Sequence, residues 1–189
     1  MDAFAYLSVL LSIIIGLGIT QILQGYRGIL LSRSRVKIYP PTLIWSGLGL
    51  VISAQLWWAS FGLAKHTSWD FATFGIVLLQ TVLLYMMSAI VLPDVPADRE
   101  LDLKAHYYRE IKPFFGFGLA MLITSLAKDW MLDGHLPTQG NLAFHAVFGM
   151  IWTLALISRR PRVHEWIAIG AIVLIAAYVS LLFARLGQN

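Results

Sequence analysis

The sequence predicts an all-α, polytopic membrane helix bundle with six transmembrane helices, and three observations lead to that fold class. Hydrophobic residues make up 58% of the 189 residues and charged residues only 13%, whereas a soluble globular domain carries about 25% charged residues. The charged residues are confined to short stretches between long apolar runs. Six of these runs approach or exceed the ~20 residues that a helix needs to cross the hydrocarbon core. Because backbone amides in lipid must be hydrogen-bonded within their own segment, we expect each run to be a helix.

Charges and prolines divide the chain into six predicted spans within a single transmembrane domain, residues 1–189. The spans cover residues 3–31, 43–64, 70–92, 114–132, 140–158 and 166–185. The prolines fall between the spans, at positions 40, 41, 93, 96, 113, 137 and 161. Proline inside a helix removes a hydrogen bond and clashes with the preceding turn. We therefore expect the prolines to mark where helices begin or end.

Segment 97–112, between the third and fourth spans, has a different character. Three acidic residues lie near its start and three basic residues later, an order that complements a helix dipole: Asp98, Glu100 and Asp102, then Lys104, Arg109 and Lys112. Leu101, Tyr108 and Ile111 recur at helical spacing. We interpret the segment as an amphipathic helix lying at the membrane surface, with a solvated linker helix as the alternative.

The distribution of Lys and Arg predicts the orientation. Eleven of the 14 basic residues fall at the ends of spans one, three and five or in the loops after them: Arg27, Arg33, Arg35, Lys37, Arg99, Lys104, Arg109, Lys112, Arg159, Arg160 and Arg162. The opposite side carries Lys65, Lys128 and Arg185. The positive-inside rule makes the first set cytoplasmic and places both termini outside. The predicted location is the cell membrane, which we interpret as a bacterial inner membrane.

Short patterns recur between the first three spans and the last three. Residues 15–19 resemble residues 115–119, and residues 48–53 resemble residues 148–153, both at an offset of 100. A three-span unit that is repeated must insert its second copy upside down, which is the inverted-repeat design of many transporters. We therefore predict a 3+3 inverted repeat. The alternative is a chance match between apolar runs rich in Gly, Ile and Leu.

Four neutral polar side chains are expected near the bilayer centre: Ser53, Gln55, Gln80 and Thr153. A polar group in hydrocarbon is costly unless it finds a partner. One hypothesis is that these side chains line a path for a neutral or weakly polar solute. The alternative is that they hydrogen-bond neighbouring helices, at ~0.6 kcal/mol for an average contact.

Lys128 and Asp129 interrupt the fourth span near its outer end. Adjacent residues on a helix point about 100° apart, so we do not expect the two side chains to pair with each other. Charge within a span is a functional-site hypothesis by default, and we assign this pair to the outer mouth of any solute path. The alternative is that Lys128 extends to the headgroup layer.

Histidines and small residues supply weaker signals. His145 is the one histidine that we predict within a span, and we place His164 in a loop. Asp102, His106 and Glu110 share one face of the predicted surface helix, where they would bind a metal, sense pH or form a solvated polar face. Small residues separated by four positions are expected to form packing ridges between helices: Gly16 with Thr20, Gly49 with Ser53, and Gly116 with Ala120.

Several function classes are excluded or disfavoured. The chain has no cysteine, which excludes disulfides, thiolate catalysis and Cys-ligated metals. It has no common catalytic or nucleotide-binding motif and no basic patch interleaved with aromatics, so we predict no cofactor, no metal and no nucleic-acid partner. Two classes remain, and an enzyme ranks third. One is a small transporter or channel-like protein for a neutral or weakly polar solute. The other is a non-catalytic membrane subunit that contacts the lipid bilayer and binds a membrane partner or another copy of itself.

Overall fold

Six long α-helices account for most of the residues that the computed structural model describes, 3–95 and 100–182. They are α1 (Ala3–Leu31), α2 (Pro40–Ala59), α3 (Phe71–Val91), α4 (Leu103–Asp133), α5 (Gln139–Ile157) and α6 (Pro161–Leu182). A 3-10 segment, Ser60–Lys65, extends α2. All six helices are long and apolar enough to cross a membrane. The predicted fold class, an all-α bundle with six membrane-spanning helices, is confirmed.

Local chemistry explains where several helices begin and end. Pro40 and Pro161 open α2 and α6, because the missing N–H of proline costs nothing in a first turn. Asp70 caps α3: its carboxylate accepts a 2.7 Å hydrogen bond from the Thr73 N–H, and the Asp70 N–H donates to Thr73 Oγ1. Gly134 ends α4 in the left-handed conformation, with φ at 74°, which glycine adopts without strain.

The fourth helix corrects the prediction of a separate surface helix at residues 97–112. Residues 103–112 are the first third of α4, and Pro113 lies inside that helix without ending it. At 1.5 Å per residue, 31 residues extend about 46 Å, well beyond a hydrocarbon core of about 30 Å. The charged first third of α4 therefore projects out of the hydrocarbon as a continuation of the span. Positions 97–99 of the predicted surface helix, and 183–185 of the sixth span, lie outside the described residues.

The loops after α1, α3 and α5 meet at one end of the bundle, here called the basic end. Two short parallel strands, β1 (Val36–Lys37) and β2 (Leu101–Asp102), join the first two of these loops. Lys37 pairs with Glu100 at 2.9 Å, and this contact raises the pKa of Lys37. The basic end therefore gathers the loops to which the sequence assigns most Lys and Arg residues.

A buried histidine ties the third of these loops to the basic end. His164 Nε2 donates to the Ser158 carbonyl at 2.9 Å, and its Nδ1 lies 3.0 Å from the Tyr107 hydroxyl. Since a carbonyl only accepts, Nε2 carries the hydrogen of the neutral ring and Nδ1 accepts from Tyr107. His164 was predicted in a loop. It lies instead in the first turn of α6, and it links α4, α5 and α6.

The remaining loops meet at the opposite end. Lys65 pairs with Asp133 at 3.0 Å, which joins the α2–α3 connection to the end of α4. The ring of Phe4 stacks on Trp69, which brings the start of α1 to the same end. The loops therefore alternate between two ends, as six consecutive spans require.

Close approach of helices occurs at glycines other than those predicted. A Cβ at Gly25 of α1 would lie 2.6 Å from Leu92 Cβ beyond α3, and one at Gly18 would lie 3.3 Å from Ser88 Oγ. By contrast, Gly16 and Gly116 have open space where a Cβ would lie. The packing ridges predicted at Gly16 and Gly116 are wrong, because the face of α1 that meets α3 lies two residues away.

The packing of the helices gives the predicted inverted repeat no support. In such a repeat, the pair α1 and α3 corresponds to the pair α4 and α6. Close backbone contact is extensive between α1 and α3 and sparse between α4 and α6. The main core instead joins the two halves, where Trp45 of α2 packs edge-on against Phe114 and Phe115 of α4.

Candidate functional site

A cavity of about 80 Å³ lies between the first three helices and the last three, near the middle of the spans. Its polar lining comes from Gln55, Gln80, Ser125 and His145. Aromatic walls come from Phe148, Trp152 and Tyr178, and aliphatic side chains complete the lining. A water molecule needs about 10–15 Å³ on this measure, so the cavity has room for several waters or one small molecule.

Two glutamine amides in this cavity have unused hydrogen-bonding capacity. Gln80 is 7% exposed and Gln55 is half-buried. Neither side chain hydrogen-bonds to another described residue, while both line the cavity. An amide offers two N–H donors and one carbonyl acceptor. The cavity therefore presents uncharged donors and acceptors in an otherwise apolar environment.

His145 has a defined tautomer in its neutral form. Its Nδ1 lies 2.9 Å from the Asn141 carbonyl, and a carbonyl only accepts, so Nδ1 carries the ring hydrogen. Nε2 is then an acceptor. In that form His145 adds a second kind of acceptor to the lining.

Trp152 lines the cavity with its ring, while its indole N–H is buried. Its side chain is 2% exposed, and Nε1 has no hydrogen-bond partner among the described residues. The Cε3, Cζ3 and Cη2 edge of the indole packs against Gly118. Because Nε1 lies on the other side of the indole, the N–H points away from that contact.

A second cavity, of about 30 Å³, adjoins the first. The two share Leu56 and Gln80, and the second is also lined by Ser60, Thr81 and Lys128. It lies on the side of the bundle that leads toward the opposite end. Gln80 therefore stands between the larger cavity and the region of Lys128.

Lys128 and Asp129 pair with each other, contrary to the sequence prediction. Lys128 Nζ lies 3.2 Å from Asp129 Oδ1, and the two side chains are 19% and 18% exposed. The prediction considered only the directions of the two Cβ atoms. A lysine side chain is long and flexible enough to fold back along the helix surface, so the angle between Cβ vectors does not prevent the pair.

Of the four mid-span polar residues, two line the larger cavity and two do not. Gln55 of α2 and Gln80 of α3 both line it. Ser53 is fully buried and donates to the Gly49 carbonyl of its own helix at 2.8 Å. Thr153 is exposed on the outer face of α5. The cavity is therefore built from the amides and not from the mid-span hydroxyls of Ser53 and Thr153.

The polar face of the first third of α4 is engaged in local contacts. His106 Nε2 donates to the Ile90 carbonyl at 3.0 Å, and Arg109 Nη2 donates to His106 Nδ1 at 3.1 Å. Glu110 pairs with Arg109, and Asp102 caps the start of α4. Within residues 3–95 and 100–182, no group of three or more His, Asp or Glu side chains is arranged to hold a metal ion.

Ser125, His145 and Trp152 line the cavity without having been predicted there, although the spacing on α5 carries a signal. His145, Phe148 and Trp152 follow one another at i, i+3 and i+7, so they share one face of α5. A histidine on an otherwise apolar and aromatic face marks a surface turned toward other helices. The spacing does not show which helices lie opposite that face.

Comparison of the chain with models of protein families, with curated proteins and with solved structures finds no match.

Proposed function

We propose that this integral membrane protein is a small transporter or channel-like protein that admits a neutral or weakly polar solute to the cavity between its halves. The observation that carries the proposal is the pair of amides, Gln55 and Gln80, that line a mid-span cavity without hydrogen bonds to other described residues. A polar group in lipid is costly when it has no partner. A solute or water in the cavity would supply one.

The lining favours an uncharged solute. Within the described residues, no Lys, Arg, Asp or Glu lines the larger cavity, so an ion entering it would lose its hydration without meeting a permanently charged partner. Lys128 lines only the smaller cavity. We assign Lys128 and Asp129 to the outer mouth of the path. Their ion pair lies on the route of an entering solute, but neither side chain lines the larger cavity.

Orientation completes the proposal. The basic end is cytoplasmic by the positive-inside rule, and both termini then lie outside. In this orientation the smaller cavity, which Lys128 lines, faces the outside of the cell. A solute from outside would reach it before it reaches the larger cavity.

A second candidate function is a non-catalytic membrane subunit that binds another membrane protein or a second copy of this chain. The observation that favours it is the exposed face of α1, where Gly16 and Thr20 lie one turn apart with open space around Gly16. Small residues allow another helix to approach closely in lipid.

Leucine substitutions at the two glutamines test the proposal. Purified protein is reconstituted in liposomes, and glycerol and urea uptake are followed by stopped-flow light scattering. We expect Gln55→Leu and Gln80→Leu each to lower the flux about fivefold, equivalent to the ~1 kcal/mol of a lost neutral hydrogen bond. Thermal stability in detergent should stay the same or rise, because no hydrogen bond within the protein is lost.

Gln24→Leu is the matched control, since Gln24 is exposed on α1 and lies outside the cavity. Its flux should equal that of the unmodified protein. Uptake no faster than in protein-free liposomes would refute the transport proposal. A loss of stability in both cavity variants would mean that the amides hold helices together.

A further inference from the structure

One acceptor in the larger cavity has a fixed role, the Nε2 atom of His145. Gln55, Gln80 and Ser125 also line the cavity, but amides and hydroxyl groups both donate and accept, so they match either kind of partner. His145 Nδ1 donates to the Asn141 carbonyl at 2.9 Å, which leaves Nε2 of the neutral ring as an acceptor only. A molecule in the cavity can therefore satisfy Nε2 only by presenting an N–H or O–H donor.

The Nε2 atom is also open to contact. Among the described residues it has no hydrogen-bond partner, and it is not one of the side-chain atoms that the surrounding protein closes off, as it closes off Trp152 Nε1. His145 is 9% exposed and lines the cavity on the face of α5 that it shares with Phe148. Because Nδ1 turns back toward its own helix, Nε2 is the ring nitrogen that extends away from α5. The little surface that His145 retains therefore includes an acceptor that a molecule in the cavity can reach.

The rest of the lining defines the body of the ligand. Phe148, Trp152 and Tyr178 present aromatic surface, and aliphatic side chains make up most of what remains. Burial of apolar surface is favourable, so a donor on an apolar body fits the cavity better than a fully polar molecule. The volume of about 80 Å³ limits that body to about one small ring.

We infer that the larger cavity recognises a small neutral molecule with an apolar body and an N–H or O–H group, and that this group donates to His145 Nε2. The inference rests on the proposed function in that it concerns the same cavity, and it names the class of solute. His145 is then the residue that determines specificity for the donor. Protonation of the ring would place a hydrogen on Nε2 and abolish the acceptor, so this recognition belongs to the neutral form.

Pyrrole and furan isolate the donor, because they are uncharged five-membered aromatic rings of nearly equal size and only pyrrole carries an N–H. The dissociation constant of each is measured by NMR titration of the purified protein in one detergent, at about pH 8, where a free imidazole is neutral. Unmodified protein is compared with His145→Phe, which keeps an aromatic ring and removes the acceptor. Partition of a probe into detergent is the same for every variant, so it cancels when affinities are compared between variants.

His145→Phe should weaken pyrrole binding about fivefold more than it changes furan binding, as expected for one neutral hydrogen bond. His135→Phe is the matched control, because His135 is exposed in the loop between α4 and α5 and lies outside the cavity. It should leave both affinities unchanged. Equal effects of His145→Phe on the two probes would overturn the inference, because they would reflect shape alone.

Urea tests the role of the apolar body. It carries N–H donors and lacks an apolar ring, so it should bind more weakly than pyrrole. Tighter binding of urea would overturn the role given to the aromatic walls.

A spectroscopic measurement keeps the inference testable if His145→Phe does not fold. In unmodified protein with ¹⁵N in the rings of its five histidines, pyrrole should shift the signal of one ring nitrogen that carries no hydrogen, as that nitrogen accepts a hydrogen bond, and furan should not. Absence of any difference between the two probes would refute the acceptor role. Pyrrole binding at His145 without any solute flux would count against the proposed function alone. Solute flux without a pyrrole preference that depends on His145 would count against this inference alone.

Discussion

At the residue scale, a glycine leaves the room that the indole of Trp152, part of the cavity wall, occupies. Gly118 of α4 lies against the indole edge of Trp152, and a Cβ at this position would lie 2.5 and 2.6 Å from two ring carbons. Contacts that short do not occur, so the ring or the helix must shift. Because Trp152 is fully packed, the indole has little freedom to give way other than toward the cavity.

Gly118→Ala is therefore expected to destabilise the protein by about 1–3 kcal/mol, the usual cost of overpacking. Thermal unfolding in detergent measures the change. Gly116→Ala is the matched control, since Gly116 lies two residues earlier and has open space around it. That control should be neutral or stabilising, because alanine is the better helix former. Equal stability of the two variants would contradict the described contact.

Residue identity alone predicted only part of the site. Gln55 and Gln80 were selected because an amide in hydrocarbon needs a partner, and that argument needs no coordinates. Trp152 was not selected, because a tryptophan in a span is an ordinary apolar residue until its N–H proves to have no partner. His164 was placed in a loop because the predicted sixth span begins at residue 166, whereas Pro161 opens the helix that contains it.

At the scale of the helices, the start of α3 depends on one carboxylate. Asp70 accepts from the Thr73 N–H and hydroxyl, and these hydrogen bonds hold the pKa of Asp70 below its ordinary value of 3.8. A lowered pKa means that the folded protein favours the ionised form. The stabilisation is complete above the ordinary value and is lost as the pH falls through the lowered pKa.

Asp70→Ala should lower the thermal stability at neutral pH, because the first turn of α3 loses its cap. The difference from the unmodified protein should stay constant down to about pH 4 and shrink as the pH falls further, since the carboxylate becomes protonated. Asp94→Ala serves as the control, because Asp94 is exposed and caps no described helix. A difference that grows on acidification would contradict the role assigned to Asp70.

Hydropathy predicted where helices cross lipid but not how far they continue in water. The first third of α4 carries Lys104, Arg109 and Lys112, and its polarity indicated a separate element. A helix continues across the membrane boundary as long as its backbone hydrogen bonds are satisfied, and hydropathy does not report those bonds. Pro113 was expected to end the helix, but Ile111 and Phe114 on either side of it are packed in the core.

At the scale of the whole molecule, the alternation of loops defines two faces. Ser34 lies at the basic end and Ser68 at the opposite end, and both are exposed. The chain has no cysteine, so an introduced cysteine is the only thiol of the protein that a reagent can label. With an impermeant thiol reagent on intact cells, Ser68→Cys should label strongly and Ser34→Cys weakly. The reverse pattern would contradict the orientation given by the positive-inside rule.

The cavity itself was not predictable from the sequence. Its lining depends on how each helix is rotated about its axis, and a rotation of about 100°, the angle between consecutive residues, separates a cavity residue from a lipid-facing one. Thr153 and Trp152 are neighbours in sequence, yet Thr153 is exposed and Trp152 is buried at the cavity. Weak amphipathicity is typical of helices that are apolar on every side, so the sequence pattern holds little information about that rotation.

The central claim is that a small neutral solute reaches the mid-span cavity, and the reactivity of one introduced cysteine tests it most directly. Ser125→Cys places a thiol in the cavity lining, and Ser53→Cys places one at similar depth in a fully packed position. N-ethylmaleimide, which is small and neutral, should react with Ser125→Cys about tenfold faster or more, because a packed thiol is inert. Equal and negligible labelling of both variants in folded protein would show that no solute reaches the cavity, and would contradict the proposed function.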